Sequence, residues 1–288
     1  MDDQKGNYFS IISGENGLRK VALRSADGAR AEIYLHGAHV TSWTPAGSKV
    51  ERLFLSRKSE YGPEDSIRGG IPVIFPQFAG QGPIMKHGFA RRMEWTLVKV
   101  EEGAAGVTAH FQLNDNEFSR HIWDHAFQTE LAVRIGGQEL ELSLAVRNPG
   151  PEAFHFTAAL HTYLRVADIH ETTIEGLGGK KYLDSAGGSV NRVQEGASLS
   201  FNGEVDRIYF DAPADLKVRE RESAMAVATQ GFPDVVVWNP WIKGGAALED
   251  LEEQGYIRMV CVEAAVIGKS VTLEAEDMWK GSQKLIAE

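Results

Sequence analysis

The stretch "FQTELAVRIGGQELELSLAVRN", residues 127–148, is built on a period of two. Phe127, Leu131, Val133 and Ile135 share one parity, and Gln128, Glu130 and Arg134 fall on the other. After a Gly-Gly step the pattern resumes, with Leu140, Leu142, Leu144 and Val146 set against Glu139, Glu141, Ser143 and Arg147. Side chains alternate between the two faces of a strand, so each half predicts a strand with one buried face, and such strands belong to antiparallel sheets packed face to face. Similar runs occur at 107–113, 154–166, 225–229, 234–239, 257–265 and 270–276, separated by turn signals such as "RIGGQE", "RNPGPE" and "SAGGSV". The pattern predicts an all-β chain, a meandering sandwich of antiparallel sheets. Short helices are expected only over 116–125 and 246–254. Strands and helices do not alternate as in a parallel α/β sheet, no Gly-rich phosphate loop opens a helix, and no fixed-period repeat is present. Neither a linker nor a composition shift divides the sequence, so residues 1–288 are expected to form one domain.

Composition narrows the function. The chain has 288 residues, 43% of them hydrophobic, enough for a large core. Forty acidic residues against 30 Lys and Arg give a formal net charge of −10. That field opposes nucleic acid and anionic membranes, so an anionic ligand must be held by a local basic cluster. Cys261 is the one cysteine, which excludes an intrachain disulfide and a cysteine metal cluster and points to a reducing compartment. The N-terminal "MDDQKGNYFS" is acidic and polar, and no apolar run approaches the roughly 20 residues of a membrane helix. The expectation is a cytoplasmic protein with no membrane and no nucleic-acid partner.

Three constellations could carry chemistry. In "FHFTAALHTYLRV" (154–166), strand parity puts Phe154, Phe156, Ala158, Leu160, Thr162, Leu164 and Val166 on a core face. His155, Thr157, Ala159, His161, Tyr163 and Arg165 fall on a mixed, ionisable face suited to the floor of a cleft. In "MVCVEAA" (259–265), Glu263 shares a face with Met259 and Cys261, among small and apolar neighbours. A buried carboxylate must be paired or have its pKa raised, which leaves Glu263 as a general base or as the structural partner of an arginine; Cys261 reads as packing. The Gly- and Pro-rich "SIRGGIPVIFPQFAGQGPIMKHGFARRMEW" (66–95) predicts a fixed irregular loop, bracketed by Arg68 and Arg91, with Gln77, Lys86 and His87 between them.

"IRGGIPVIFPQF", "KHGFAR", "LHTYLRV", "EVDRIY" (204–209), "VVWNPW" (236–241) and "VCVEAA" follow one another in this order. In that order they resemble the hexose-6-phosphate mutarotases, or glucose-6-phosphate 1-epimerases, the phosphosugar branch of the aldose 1-epimerase family, over nearly the whole chain. The resemblance implies a galactose-mutarotase-like β-supersandwich and an isomerase that interconverts the α and β anomers of a hexose 6-phosphate. It implies His161 and Glu263 as the catalytic pair. Arg68, Lys86, Arg91 and Asp206 become substrate ligands, joined by His87 and Gln77 of the same loop. Lys86 departs from the glutamine common in the family, keeping a donor and adding a charge. The chemistry needs one proton removed from the C1 hydroxyl and one delivered to the ring oxygen, so an acid and a base on opposite sides of the anomeric centre suffice, with no metal or cofactor. The implied partner is one small molecule, and the protein is expected to be a monomer. Trp238, Trp241 and Phe78 are open between stacking on the sugar and core packing, and Arg92 is expected at the surface. The competing readings are an aldose 1-epimerase of unphosphorylated sugars and a sugar-binding sandwich without turnover.

Overall fold

The computed structural model describes residues 8–288; the acidic N-terminal reading falls, through residue 7, outside them. The described chain forms three sheets, of four, eight and nine strands, in which every pairing between strands is antiparallel. The 127–148 stretch becomes the hairpin of Gln128–Gly136 and Glu139–Arg147, at the heart of the nine-stranded sheet. Its register sets Leu131 against Leu144, Val133 against Leu142 and Ile135 against Leu140, all buried. On the other face Arg134 bridges Glu139 and Glu141, each at 2.8 Å. The two-residue loop between them puts Gly137 at φ +55°, the left-handed first position that a type II′ hairpin turn requires.

The eight-stranded sheet carries the chemistry-bearing strands. Its middle runs Val205–Tyr209, Asp234–Asn239, Met259–Leu273, then Phe154–Leu160, with Tyr163–Arg165 also paired to Met259–Leu273. The strand expected over 154–166 is therefore interrupted at His161 and Thr162. There the His161 N–H donates to the Pro72 carbonyl at 3.0 Å instead of to a ladder partner. The register survives the gap: Leu160 faces Ala264 and Tyr163 faces Cys261, so His161 comes opposite Glu263. The largest apolar cluster links the three sheets, with members from Val21 to Ala287, and two smaller clusters lie around Phe78 and Val236 and around Tyr163 and Cys261.

Helix is as scarce as expected. Residues 116–125 contain Glu117–Ile122, capped by Asn116, whose side chain accepts from the Ser119 N–H while Ser119 Oγ accepts from the Asn116 N–H. The helix expected over 246–254 is absent; a short one runs instead over Trp241–Ala246. The acidic run fails as a helix because its ends are tied elsewhere: Ser56 donates to the Asp250 carbonyl and to Glu252, and Gln254 turns left-handed at φ +58°. Among the described residues no helix is long and apolar enough to cross a membrane.

The core's densest aromatic contact is Phe75, fully buried, with ring centroids of Trp123, Phe127 and Phe156 at 5.6, 5.3 and 5.4 Å. Removing a buried ring forfeits its transfer energy and opens a cavity. Phe75→Ala is expected to lower the unfolding free energy by about 3–5 kcal/mol in chemical denaturation. Val98→Ala, on an exposed strand position, should change it by about 0.5 kcal/mol or less.

Candidate active site

Two adjacent cross-strand rows of the eight-stranded sheet underlie a cavity of about 260 Å³, whose floor takes Ile208, Val236, Glu263 and His161 from one and Asp206 and Trp238 from the other. One row reads Ile208, Val236, Glu263 and His161; the next reads Asp206, Trp238, Cys261 and Tyr163. The wall comes from the 66–95 loop, which supplies Arg68, Phe78, Lys86, His87 and Arg91. Its volume suits one small molecule rather than a polymer.

Glu263 is 1% exposed and His161 8% exposed, with Oε1 of the one 3.3 Å from Nδ1 of the other. The contact is close but poorly aligned: His161 Nδ1 and Glu263 Oε2 are left without hydrogen-bond partners. Among the described residues no arginine lies within ion-pair distance of Glu263, whose one such contact is His161. Burial pushes its pKa well above the ordinary carboxylate value, with a smaller push from Asp206. Burial likewise depresses His161 well below 6.5, reinforced by the neighbouring His87 and by the charges on Arg91 and Arg68. Both shifts favour a neutral pair. The His161 ring stacks on Tyr163, centroids 4.8 Å apart and planes within 9°. The two groups thus stand side by side on one floor, because the register makes them direct neighbours.

The loop is tightly constrained. His87 has a left-handed backbone, φ +68°, and its Nδ1 accepts from the Ala79 N–H at 3.2 Å while its own N–H donates to the Ala79 carbonyl. A ring nitrogen that accepts carries no proton, so Nε2 bears the hydrogen and His87 acts as a donor. Burial, aided by Arg91, Lys86 and Arg68, pushes its pKa down to about 3. The next residue, Gly88, must be glycine, since a Cβ there would lie 2.2 Å from the Phe75 carbonyl oxygen.

The three cations differ. Arg68 is already matched: Nε and Nη2 reach Asp250 Oδ2 at 3.0 and 2.9 Å, and Nη1 donates to the Tyr163 hydroxyl at 3.1 Å. Burial alone would lower its pKa, but Tyr163 and Asp250 outweigh that and raise it. Among the described residues Arg91 has no acid partner; Nη2 donates to the Lys86 carbonyl at 3.2 Å and Nε is buried without a partner. Burial above all, with the Arg92 and Arg68 charges, lowers its pKa to about 10. Lys86 has no acid within ion-pair distance among the described residues. Asp206, raised by burial and by Glu204, lacks a hydrogen-bonded partner for its carboxylate among the described residues.

Of the expected ligands, Arg68, Lys86, His87, Arg91, Asp206, His161 and Glu263 converge on this cavity. Gln77 does not. Its amide nitrogen donates to the Ala79 and Ile84 carbonyls, both at 3.1 Å, and its oxygen accepts from the Ile84 N–H, so it clips the loop and has nothing to offer a ligand here. Phe78 and Trp238 line the cavity, whereas Trp241 packs on His170 and Tyr256. Arg92 is exposed and bonds Ser66. Sequence reasoning missed Ser185, Gln81 and Leu248 as lining residues and Asp250 as the partner of Arg68. Asp250 lies 182 residues from Arg68, and no local spacing signals that contact.

The family model described as aldose 1-epimerase matches residues 19–285. The chain belongs to the aldose 1-epimerase family. With that family comes the enzyme class, an isomerase. A Cenchrus ciliaris protein named "Putative glucose-6-phosphate 1-epimerase" is 36% identical, covering 97% of this chain and 88% of that one. An Escherichia coli K12 protein of the same name is 34% identical over 86% of this chain and 83% of its own. The crystal structure of a "putative mutarotase" from Salmonella typhimurium superposes with a TM-score of 0.91 at 26% identity, covering 99% of this chain and 95% of the other. The aldose 1-epimerase family thus accounts for the architecture read from strand periodicity.

A buried carboxylate with a raised pKa loses stability as pH climbs. The folded state holds its proton above the ordinary carboxylate range where the unfolded chain has released it, so the contribution is present below about pH 4.5 and is lost as pH rises through the folded-state value. Glu263→Gln removes that dependence. Its melting temperature should therefore exceed that of the wild type by more at pH 8 than at pH 5, by about 2–4 °C per kcal/mol of penalty removed; scanning calorimetry at the two pH values checks it.

Proposed function

We propose that this epimerase interconverts the α and β anomers of hexose 6-phosphates, glucose 6-phosphate foremost, by acid/base ring opening and closure. The observation that carries the reading is one cavity holding both a buried imidazole–carboxylate pair, 3.3 Å apart, and two cations, Lys86 and Arg91, without acid partners among the described residues. The names of the Cenchrus and E. coli relatives support the same substrate class.

In this mechanism the pair carries one exchangeable proton. With Glu263 ionised and His161 protonated, Glu263 takes the C1 hydroxyl proton, the bond from C1 to the ring oxygen breaks, and His161 protonates that oxygen. The open-chain aldehyde then faces a protonated Glu263 and a neutral His161. Rotation about C1–C2 presents the other face of the carbonyl. His161 removes the hydroxyl proton, the oxygen attacks C1, and Glu263 returns a proton to what becomes the new C1 hydroxyl. Both acceptor oxygens are bonded to the same carbon, so adjacent side chains serve them one each. Burial favours the neutral pair, the state reached after opening, and a proton transfer of this kind contributes about 10²–10⁴-fold per group.

Arg91 and Lys86 hold the 6-phosphate; a guanidinium fork matches phosphate oxygens, and the ligand would neutralise a buried charge that is otherwise unpaired. Arg68, anchored by Asp250 and Tyr163, offers its remaining N–H groups. His87 donates to a sugar oxygen and Asp206 accepts from sugar hydroxyls. An enzyme for unphosphorylated sugars would leave Arg91 unmatched. We read the protein as a single domain acting as a monomer, since one chain supplies every group the reaction uses.

Exchange of freshly dissolved α-glucose 6-phosphate, followed by NMR, tests the activity, and no acceleration over buffer for any hexose 6-phosphate would refute it. Glu263→Gln and His161→Asn should each lower kcat by at least about 10²-fold. Arg91→Ala should raise KM for the phosphosugar by about 10- to 100-fold, the value of a charge-assisted hydrogen bond, and leave exchange of free glucose nearly unchanged.

A further inference from the structure

We propose that His161, Cys261 and Glu263 form a three-ligand site for a zinc-like divalent cation, its fourth position open to the cavity, and that occupation of this site blocks the proton-transfer pair. Metal binding goes beyond the proposed reaction and stands on geometry alone; only the blocking rests on the acid/base roles.

A ring nitrogen of His161, the Cys261 sulfur and a Glu263 carboxylate oxygen all lie within 4.8 Å of one another. Cys261 and Glu263 share a face of one strand, two residues apart, and His161 stands opposite Glu263 on the next, so a rigid sheet sets their spacing. All three are more than nine-tenths buried, and two bring atoms with no partner: Nδ1 of His161 and Oε2 of Glu263. Tetrahedral zinc with ordinary bond lengths separates neighbouring ligand atoms by about 3.3–3.6 Å. The His161 to Glu263 contact, 3.3 Å, already has that length. The widest separation must shrink by about 1 Å to meet it, which side-chain rotation supplies.

The donor set selects the metal. Imidazole, thiol and carboxylate suit zinc or cadmium, whereas magnesium and calcium prefer all-oxygen shells. On binding, the Cys261 thiol gives its proton to solvent, as does Glu263 where it holds one, and the resulting thiolate and carboxylate balance the ion's two charges. Arg68 keeps its own counter-ion in Asp250. The lone pair of His161 and the carboxylate of Glu263 are then committed to the metal and can neither take nor give a proton.

Cadmium alone, titrated into the full chain without sugar, provides the test. A thiolate-to-cadmium absorption band in the ultraviolet should appear and saturate at one cadmium per chain, and magnesium should give none. Cys261→Ala and Cys261→Ser, checked for wild-type melting, should lack the band. Zinc should inhibit anomer exchange of the wild type reversibly, with a chelator restoring it, and should inhibit the Cys261→Ala variant at least about 10-fold more weakly. No band at millimolar cadmium, or a band unchanged in both His161→Asn and Glu263→Gln, overturns the site. Equal zinc inhibition of wild type and Cys261→Ala overturns the blocking. A band that forms in a protein showing no anomer exchange leaves the site standing and refutes the proposed function instead.

Discussion

The structure depends on the pairing between the Met259–Leu273 strand and the two short strands on either side of His161. The side-chain period of a strand is two, so a one-residue slip would send His161 and Glu263 into the core and bring Thr162 and Val262 to the cavity. The register is held across the interruption by a ladder on each flank and, in the gap, by the Val262 N–H donating to the Thr162 carbonyl at 3.1 Å. Thr162 Oγ1 also bonds Gln283, which in turn donates to the Val262 carbonyl. These polar groups are buried under the sheet, and a slipped pairing would strand all of them without partners.

Burial creates the chemistry as well as the position. An imidazole and a carboxyl at this distance in water would pair as ions; behind Trp238 and the loop they are driven toward neutrality. The same desolvation acts on Arg91, which cannot neutralise itself and so retains a charge that only an anion can meet. One low-dielectric cavity therefore produces both a proton-transfer pair and an unmet attraction for a negative group.

Much of this was legible in the sequence because it rests on alternation. Parity alone placed His161 with Tyr163 and Glu263 with Cys261, and the strand break did not disturb it because the register runs on through the gap. The fold class followed from the same period. What failed depended on contacts between distant segments. Residues 246–254 have helical composition, yet Ser56 captures their backbone and Glu252. Gln77 has a ligand's functional group but bonds its own loop. Trp241 is not among these failures: open between stacking on the sugar and packing, it packs on His170 and Tyr256 after the turn at Pro240. That the catalytic candidates are neighbours required knowing which strands pair, information that periodicity does not carry.

The Gln77 clip has a consequence for recognition. A nine-residue excursion such as 79–87 would, if free, lose roughly 1–2 kcal/mol of backbone entropy for every residue a ligand ordered. Here the Gln77 amide, the left-handed His87 and the Gly88 approach to Phe75 have fixed that backbone during folding. Encounter with a ligand then involves little chain ordering, and the loop acts as a preformed template whose contacts contribute to affinity undiminished by closure. Selectivity should accordingly come from shape and charge fixed in advance, with the cavity rejecting a misfitting sugar instead of reshaping itself around it.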